Sequence, residues 1–327
     1  MNARNCAFDV IKFVSAFLVV CIHFAPHGNL LDAYVNAICR IAVPLFFIIT
    51  GYHYDSICSA GKFKTYILRI IMLTVFASVF YLLVYVVKHW PLDNLIDNFS
   101  KAFSLKNICL WIFFNCYPLS DHLWYLYALI YTLIICVIAD KLKLTKFLFY
   151  SVPVLLLIHG ILNYECYNVY VRNWIFMGLP FVATGRWLAQ NRVVVNKIDL
   201  APLKLCLWIT VFLVLLYVEM MILYRVNPYR DCYLSVVPIV VIMTIAAIKN
   251  PLFGSNTFIS HIGRFHTSFI YVYHLFIGNC LLLMAHKYNI ELGYAIPVVI
   301  FVCTCSLSVL YSLIVKKIKR ISVSHAT

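Results

Sequence analysis

Lys12 and His23 are the two residues whose types and spacing best suit chemistry, and both lie in the first apolar run of the chain. They are eleven positions apart, and eleven steps of about 100° bring an α-helix back to nearly the same face, roughly 16 Å further along its axis. Asp9 lies one turn before Lys12 and is placed to pair with it. Histidine is a general base near neutral pH. The spacing therefore predicts a charged anchor and a titratable nitrogen for a long anionic substrate that enters a membrane. The alternative for His23 is a packing histidine.

Other ionisable or aromatic residues in the apolar runs are candidates for a site, because charged groups inside hydrocarbon are costly and mostly serve a function. The candidates are His122, Trp124, Tyr125, Arg172, Glu219 and His274, with Arg69 as a ligand for a phosphate. Trp124 and Tyr125 also fit an aromatic belt, and Arg172 fits a side chain that reaches to the headgroups. Glu219 also fits a pair with a buried base, either Arg172 or His274.

The composition is that of a polytopic membrane protein. The chain has 327 residues, of which 64% are hydrophobic and 12% charged, whereas soluble domains average about 25% charged residues. Apolar runs near the ~20 residues that cross a bilayer recur along the whole chain, without a long polar segment between them. We expect an all-α helical bundle that forms one membrane domain over residues 1–327.

Hydropathy predicts about ten transmembrane helices. They are placed near 8–25, 33–52, 67–88, 121–139, 147–162, 172–190, 202–224, 232–248, 266–286 and 294–315. The apolar run 108–114 is too short to span a bilayer, so it predicts an interfacial or re-entrant helix.

The net charge of +14 is explained by membrane topology. If the N-terminus is cytoplasmic, most of the 26 basic residues fall on the cytoplasmic side and most of the 12 acids on the other side. This asymmetry predicts that both termini are cytoplasmic, and it requires no nucleic-acid partner. The 13 cysteines lie mostly within apolar runs and lack the spacing of a metal site, so no metal is expected.

Five segments, in the right order, resemble landmarks of the acyltransferase-3 family of integral membrane proteins. They are Asp9 to Lys12 followed by His23, Val43 to Tyr52, His122 to Leu126, Gly178 to Phe181 with Gly185, and Ile270 to His274. The likeness covers nearly the whole chain. The chain departs from the family near the third helix, where many members have Arg-x-x-Arg. Here the segment is Tyr66-Ile-Leu-Arg69, so only the second basic residue is kept.

The resemblance implies a bundle of about ten helices that moves an acyl group, commonly acetyl, from cytoplasmic acyl-CoA to an extracytoplasmic hydroxyl. It implies His23 as the catalytic residue and Lys12, with Arg69, as ligands of the donor. The other candidates, Asp9 among them, are expected to support the site or contact the acceptor. Expected partners are acyl-CoA, membrane lipids, and a glycan, lipid or small molecule that carries the hydroxyl. The implied setting is O-acetylation of the cell envelope at the bacterial inner (plasma) membrane.

The segments His122 to Leu126 and Arg172-Asn173 also resemble the membrane domain of the vancomycin-resistance serine racemases, which is associated with serine uptake. The racemase domain itself has no counterpart in the sequence. The alternative function is therefore a permease for a small polar solute such as serine, in which Glu219, His23 and Arg172 bind the solute or relay protons. The lack of obvious inverted repeats argues weakly against a permease.

Overall fold

The structure is a computed structural model that describes residues 4–26, 28–89, 95–164, 168–226 and 230–324. Every regular element within these ranges is a helix. Eight helices of the described residues are long and apolar enough to cross a membrane, and two shorter apolar helices accompany them. The predicted all-α class and the multi-pass helical bundle are confirmed.

Sixteen α-helices follow one another in the described residues. In chain order they are α1 Cys6–Phe24, α2 Leu30–Cys39, α3 Ala42–Ser59, α4 Phe63–Lys88, α5 Leu95–Ala102, α6 Leu105–Phe114, α7 Trp124–Lys141, α8 Thr145–Tyr164, α9 Asn168–Val171, α10 Leu179–Gln190, α11 Arg192–Lys197, α12 Pro202–Tyr224, α13 Val236–Lys249, α14 Phe258–Phe265, α15 Thr267–Lys287 and α16 Ile296–Ser324. Turns of 3₁₀ helix precede α7 and α16, at Asp121–Leu123 and Gly293–Ala295. A π-helical turn, Trp174–Gly178, precedes α10.

Eight of the ten predicted spans coincide with the eight long helices. The span predicted at 33–52 extends to Ser59 and is broken at Arg40, between α2 and α3. Helix α6 occupies the place of the short apolar run 108–114. Its interfacial or re-entrant position stays a prediction, as do the cytoplasmic termini.

The span predicted at 172–190 is not one continuous helix. The side chain of Asn173 accepts hydrogen bonds from the amides of Ile175 at 2.8 Å and Phe176 at 3.2 Å. An asparagine that binds the next amides in this way starts a new helix. A new helical segment therefore begins after Asn173, with the π-helical turn first and α10 following it.

The span predicted at 232–248 is shortened at its start, since α13 begins only at Val236. The four residues 230–233 are buried and not helical. Backbone outside a helix is tolerated at membrane depth only where protein groups or a polar cavity satisfy it. The partners of this segment are therefore important for the site described below.

The described chain forms two compact units, Met1–Ala42 with Ala246–Thr327, and Val43–Ile245. In the first unit α1 is the central helix and packs against α2, α14, α15 and α16. In the second unit α7 packs against α4, α8 and the π-helical turn. Helices α4, α8 and α12 leave most of their apolar side chains exposed, as expected of helices that face lipid. The single domain over 1–327 stays a prediction.

Glycine allows the closest helix contact of the first unit. A Cβ atom on Gly263 of α14 would lie 1.8 Å from the main-chain oxygen of Asp9 and 3.2 Å from the amide nitrogen of Phe13. Small residues that let two backbones approach are a common means of helix packing in membranes. This contact fixes the turn of α1 that carries Asp9 and Lys12.

Close backbone approach at glycine also joins α3 and α10 in the second unit. A Cβ on Gly51 would lie 2.1 Å from the main-chain oxygen of Val182, and one on Gly185 would lie 2.0 Å from that of Ile48. Backbone stands directly against backbone at both positions, and the neighbouring atoms are not flexible side chains. The two helices are therefore held in one register.

We expect Gly263→Ala to lower the thermal stability of the purified protein in detergent. The added methyl group meets backbone atoms, and overpacking of this kind costs about 1–3 kcal/mol. Gly28→Ala is the matched control, because a Cβ at Gly28 would lie 3.9 Å from its nearest neighbour, Asp32 Oδ2. Equal melting temperatures for the two variants would show that α14 does not depend on close approach to α1.

Candidate active site

Asp9 lies buried in the first turn of α1, between two basic side chains. Arg4 donates to its carboxylate from Nε at 2.8 Å and also from Nη2. The Lys12 Nζ lies 3.4 Å from the other carboxylate oxygen, so the predicted pair is present. Two cations on one carboxylate leave this end of α1 with net positive charge. The Lys12 side chain is 29% exposed, which leaves it open to an additional anion.

The start of α1 is tied to the last turn of α13 and to the segment that follows it. Asn5 caps the helix by accepting a hydrogen bond from the Phe8 amide at 3.1 Å, and it donates to the Ala247 oxygen at 2.8 Å. The Cys6 amide donates to the Pro251 oxygen at 2.7 Å. The helix that carries the candidate anchor and base is thus fixed at its first turn.

His23 lies in the last turn of α1 with an exposed side chain. Its ring centroid is 5.3 Å from that of His274 on α15. His274 is buried, and its Nδ1 lies 3.0 Å from the Ile270 oxygen and 2.8 Å from the Tyr271 oxygen. Since α1 is unbroken from Cys6 to Phe24, Lys12 and His23 share the predicted face. The structure brings together two predicted site residues here, one exposed and one held inside.

Sequence analysis did not single out a second basic group, which flanks Gly263. His266 is buried, and its Nδ1 lies 2.7 Å from the Ser308 hydroxyl oxygen. The rings of His261 and His266 have centroids 5.7 Å apart. Arg264 lies between them in the last turn of α14, exposed. Because Gly263 stands directly against α1, this basic group adjoins the charged turns of that helix.

In the second unit His122 lies buried in the 3₁₀ turn before α7. Its Nδ1 is 2.8 Å from the Ser120 hydroxyl oxygen, and its ring stands edge-on to Tyr81, with centroids 4.8 Å apart. Tyr125 packs against Phe47 with ring centroids 4.8 Å apart. These contacts place His122 and Tyr125 among side chains of α3, α4 and α7.

Arg172 is the centre of a polar cluster in the same unit. It forms ion pairs with Asp121 and, at 3.7 Å, with Asp231. Its guanidinium carbon lies 5.7 Å from the ring centroid of Trp124, which is buried. The side chain of Arg172 is only 16% exposed. Two of the predicted site residues, Arg172 and Trp124, are therefore in contact.

Glu219 receives backbone amides instead of the buried base that the sequence suggested. The amides of Leu234 and Ser235 donate to its two carboxylate oxygens at 2.7 and 2.8 Å. A carboxylate at this position satisfies the free amides at the start of a helix and suits its positive end. The contact holds the non-helical segment ahead of α13 against α12.

Arg69 lies exposed on α4, as do Lys62 and Lys64 just ahead of it. Three basic side chains are thus accessible at this end of α4. The structure leaves the predicted role of Arg69 toward a phosphate as a prediction.

Arg186 of α10 is buried in an ion-pair network that the sequence analysis did not single out. Its Nη2 lies 2.8 Å from Asp55 Oδ1 and 3.0 Å from Asp140 Oδ1. Its guanidinium carbon lies 4.2 Å from the ring centroid of Tyr54, whose hydroxyl donates to Asp140 at 2.9 Å. The network joins α3, α7 and α10. Its partners are distant in sequence, so no local pattern marks it.

In the described residues the candidate chemical groups of the first unit line up along α1. Within these ranges no group of three or more His, Cys, Asp or Glu side chains is arranged to hold a metal ion. One face of α1 instead offers a cation at Lys12 and an accessible imidazole at His23. Such a face can attract an anion at one end and accept a proton at the other.

Comparison with known proteins defines the class. The profile of an acyltransferase domain matches residues 6–317, which is nearly the whole chain and includes both compact units. The chain therefore belongs to the acyltransferase-3 family, and eight helices of its described part are long and apolar enough to cross a membrane.

The chain is also similar to an amino-acid racemase of Enterococcus faecalis. The two are 25% identical over 217 residues, which is 58% of this chain and 29% of the racemase. The chain thus spans less than a third of that relative. No solved structure matches the chain significantly.

We expect Arg186→Gln to destabilise the protein more than the same substitution at an exposed arginine. The variant leaves Asp55 and Asp140, each 34% exposed, close together without their cation, and this costs about 1–3 kcal/mol, less than the loss of a fully buried pair. The measurement is the melting temperature in detergent. Arg192→Gln is the control, since Arg192 is exposed and only stacks on Tyr52. A loss no larger than that of the control would mean that the network does not hold α3, α7 and α10 together.

Proposed function

We propose that the protein is an O-acyltransferase of the bacterial inner membrane. It moves an acyl group, in the first instance acetyl, from cytoplasmic acyl-CoA to a hydroxyl of an extracytoplasmic acceptor. The observation that carries this proposal is the face of α1, with its paired but open Lys12 and its exposed His23, in a chain of the acyltransferase-3 family. The proposal includes cytoplasmic termini and a single working domain over residues 1–327.

The donor binds at the Lys12 end of α1. Acyl-CoA carries several phosphate charges, and Lys12 with Arg4 gives this end net positive charge around one carboxylate. Arg264 adds an exposed cation next to the same turns. Arg69, exposed on α4 of the second unit, stays a separate candidate for a phosphate contact. A pantetheine arm that follows the helix from Lys12 covers the roughly 16 Å to His23.

His23 is the general base. Its imidazole takes the proton of the acceptor hydroxyl, and the oxygen attacks the thioester carbonyl carbon. The tetrahedral intermediate collapses as the carbon–sulfur bond breaks, and the CoA thiolate takes the proton from the imidazolium. Nδ1 of the neighbouring His274 lies close to two main-chain oxygens, which makes it a hydrogen-bond donor that holds the ring in place. His274 therefore acts as a positioning residue for His23.

The acceptor is assigned to polar groups of the second unit. Arg172 and Trp124 form a cation–π pair, and the N–H groups of the guanidinium are donors for hydroxyl oxygens of the acceptor. His122 and Tyr125 lie on either side of Trp124 in the chain and are further hydrogen-bond donors of this unit. Glu219 supports this region through the start of α13.

We expect His23→Ala to lower acyl transfer by about 10²- to 10⁴-fold, the usual contribution of a general base. The measurement is transfer of radiolabel from acetyl-CoA into envelope material, in membrane vesicles that contain the protein. His286→Ala is the control, because His286 is an exposed histidine at the far end of α15. Undiminished transfer by a folded His23→Ala protein would remove His23 from the reaction.

We expect Lys12→Ala to weaken acetyl-CoA binding about tenfold, because it removes a charge-assisted contact to phosphate. His23→Ala should bind acetyl-CoA within about twofold of the wild type. Calorimetry of the purified protein in detergent measures both. Lys287→Ala, with an exposed lysine at the other end of α15, should bind like the wild type. If no form binds acetyl-CoA although all are folded, the donor assignment is wrong.

A second candidate function is a permease for a serine-like amino acid, and the similarity to the amino-acid racemase favours it. In this case Arg172, Glu219 and His23 serve solute binding or proton relay. The permease predicts saturable uptake of serine into proteoliposomes without CoA. The acyltransferase predicts none.

A further inference from the structure

Arg230 is a fully buried arginine of the second unit without a matching acid. It is 0% exposed. Within the described part of the chain no carboxylate forms an ion pair with it, and its Nη2 makes one long hydrogen bond of 3.3 Å to the Tyr164 oxygen. Its Nε and Nη1 are buried without a hydrogen-bond partner. A buried charge without such partners is strongly unfavourable, which indicates that the guanidinium serves a ligand.

The chain around Arg230 is held in place by side chains from two other helices. The Asn163 amide of α8 donates to the Cys232 oxygen at 2.6 Å. Glu219 of α12 accepts the amides of Leu234 and Ser235. These bonds satisfy a non-helical segment that would otherwise be costly inside a membrane protein. These hydrogen bonds fix the conformation of the segment, and they hold Arg230 in a defined position.

Additional buried polar atoms without a hydrogen-bond partner lie near this segment. They are Nε of Arg172, Nε2 of His159 and Oδ1 of Asn163. Arg172 reaches the segment through Asp231 at 3.7 Å, and Asn163 reaches it through Cys232. His159 lies one turn before Asn163 on α8. The two arginines alone contribute three buried donor nitrogens that have no acceptor, so the surplus is one of donors.

We infer that Arg230, assisted by Arg172, binds an anionic oxygen group of the acceptor, either a carboxylate or a phosphate. A guanidinium presents parallel N–H groups that match both oxyanions. An anionic group that enters this position supplies the acceptors that Arg230 lacks and neutralises its charge. The inference rests on the proposed function in one respect, namely that the molecule bound in the second unit is the acyl acceptor. It narrows the acceptor to hydroxyl compounds that carry an acidic group.

Three small hydroxyl compounds test the inference by calorimetry on the full chain in detergent, without any acyl donor. They are glycerate, glycerol 3-phosphate and glycerol, which differ mainly in the acidic group. We expect at least one anionic probe to bind the wild type saturably, and glycerol to bind at least tenfold more weakly. Binding of glycerate alone identifies a carboxylate, and binding of glycerol 3-phosphate alone identifies a phosphate. Equal affinity for the anionic probes and glycerol would overturn the inference.

Arg230→Gln should weaken binding of the anionic probe at least tenfold. Arg225→Gln is the matched control, because Arg225 is an exposed arginine at the end of α12. Without ligand, Arg230→Gln should melt at or above the wild-type temperature, since it removes a buried charge that lacks a partner. Undiminished probe binding by Arg230→Gln would overturn the inference. A melting temperature of the ligand-free variant below that of the wild type would overturn it as well.

If Arg230→Gln does not fold, Arg230→Lys takes its place. The lysine keeps the charge but not the parallel N–H groups, so the anionic probe should bind more weakly to a folded protein. Unchanged affinity would again overturn the inference. Acetyl-CoA binding by the same wild-type preparation is read separately. Its absence would count against the proposed donor and leave the test of Arg230 unaffected.

Discussion

Hydrocarbon offers no hydrogen bonds, so each buried charge and each free backbone group of this chain must find its partner within the protein. Asp9 is held by Arg4 and Lys12, and Arg186 by two aspartates. The carboxylate of Glu219 accepts two backbone amides. These interactions fix helix ends and join helices that are distant in sequence. The same rule makes the exceptions informative, because a buried charge that the protein leaves unmatched needs another explanation.

Close backbone contacts place these polar groups. Lipid is as apolar as the side chains, so tight packing at small residues replaces the hydrophobic effect as a force between helices. Gly263 brings α14 against the turn of α1 that carries Asp9, and Gly51 and Gly185 bring α3 against α10. Two members of the Arg186 network lie on those same helices, since Asp55 is one turn beyond Gly51 and Arg186 directly follows Gly185. Packing and pairing thus reinforce one another around Asp9 and around Arg186.

Hydropathy predicted the long helices well, because an apolar run of sufficient length is itself the cause of a membrane span. Hydropathy missed the helix boundaries within 172–190 and 232–248, because an average over many apolar residues hides the single polar residue that sets a boundary. At the first place Asn173 caps a new start, and at the second Glu219 holds amides outside the helix. Local spacing was sufficient to predict the ion pair of Asp9 and Lys12. It was not sufficient for Arg186 and Arg230, whose surroundings come from distant segments.

Accessibility separates the two histidines that the structure brings together. Both lie in apolar helices, and only the spacing from Lys12 and the family resemblance favour His23 as the base before the structure is considered. His274 is buried, with Nδ1 committed to oxygens of its own helix, so a proton exchanged with a substrate has no direct path to that nitrogen. His23 is exposed at the end of α1, and its ring adjoins the fixed ring of His274. A base must meet its substrate and yet be oriented, and this pair divides the two requirements between an accessible ring and a buried one. The assignment of catalysis to His23 therefore follows from the contrast in exposure as much as from its distance to Lys12.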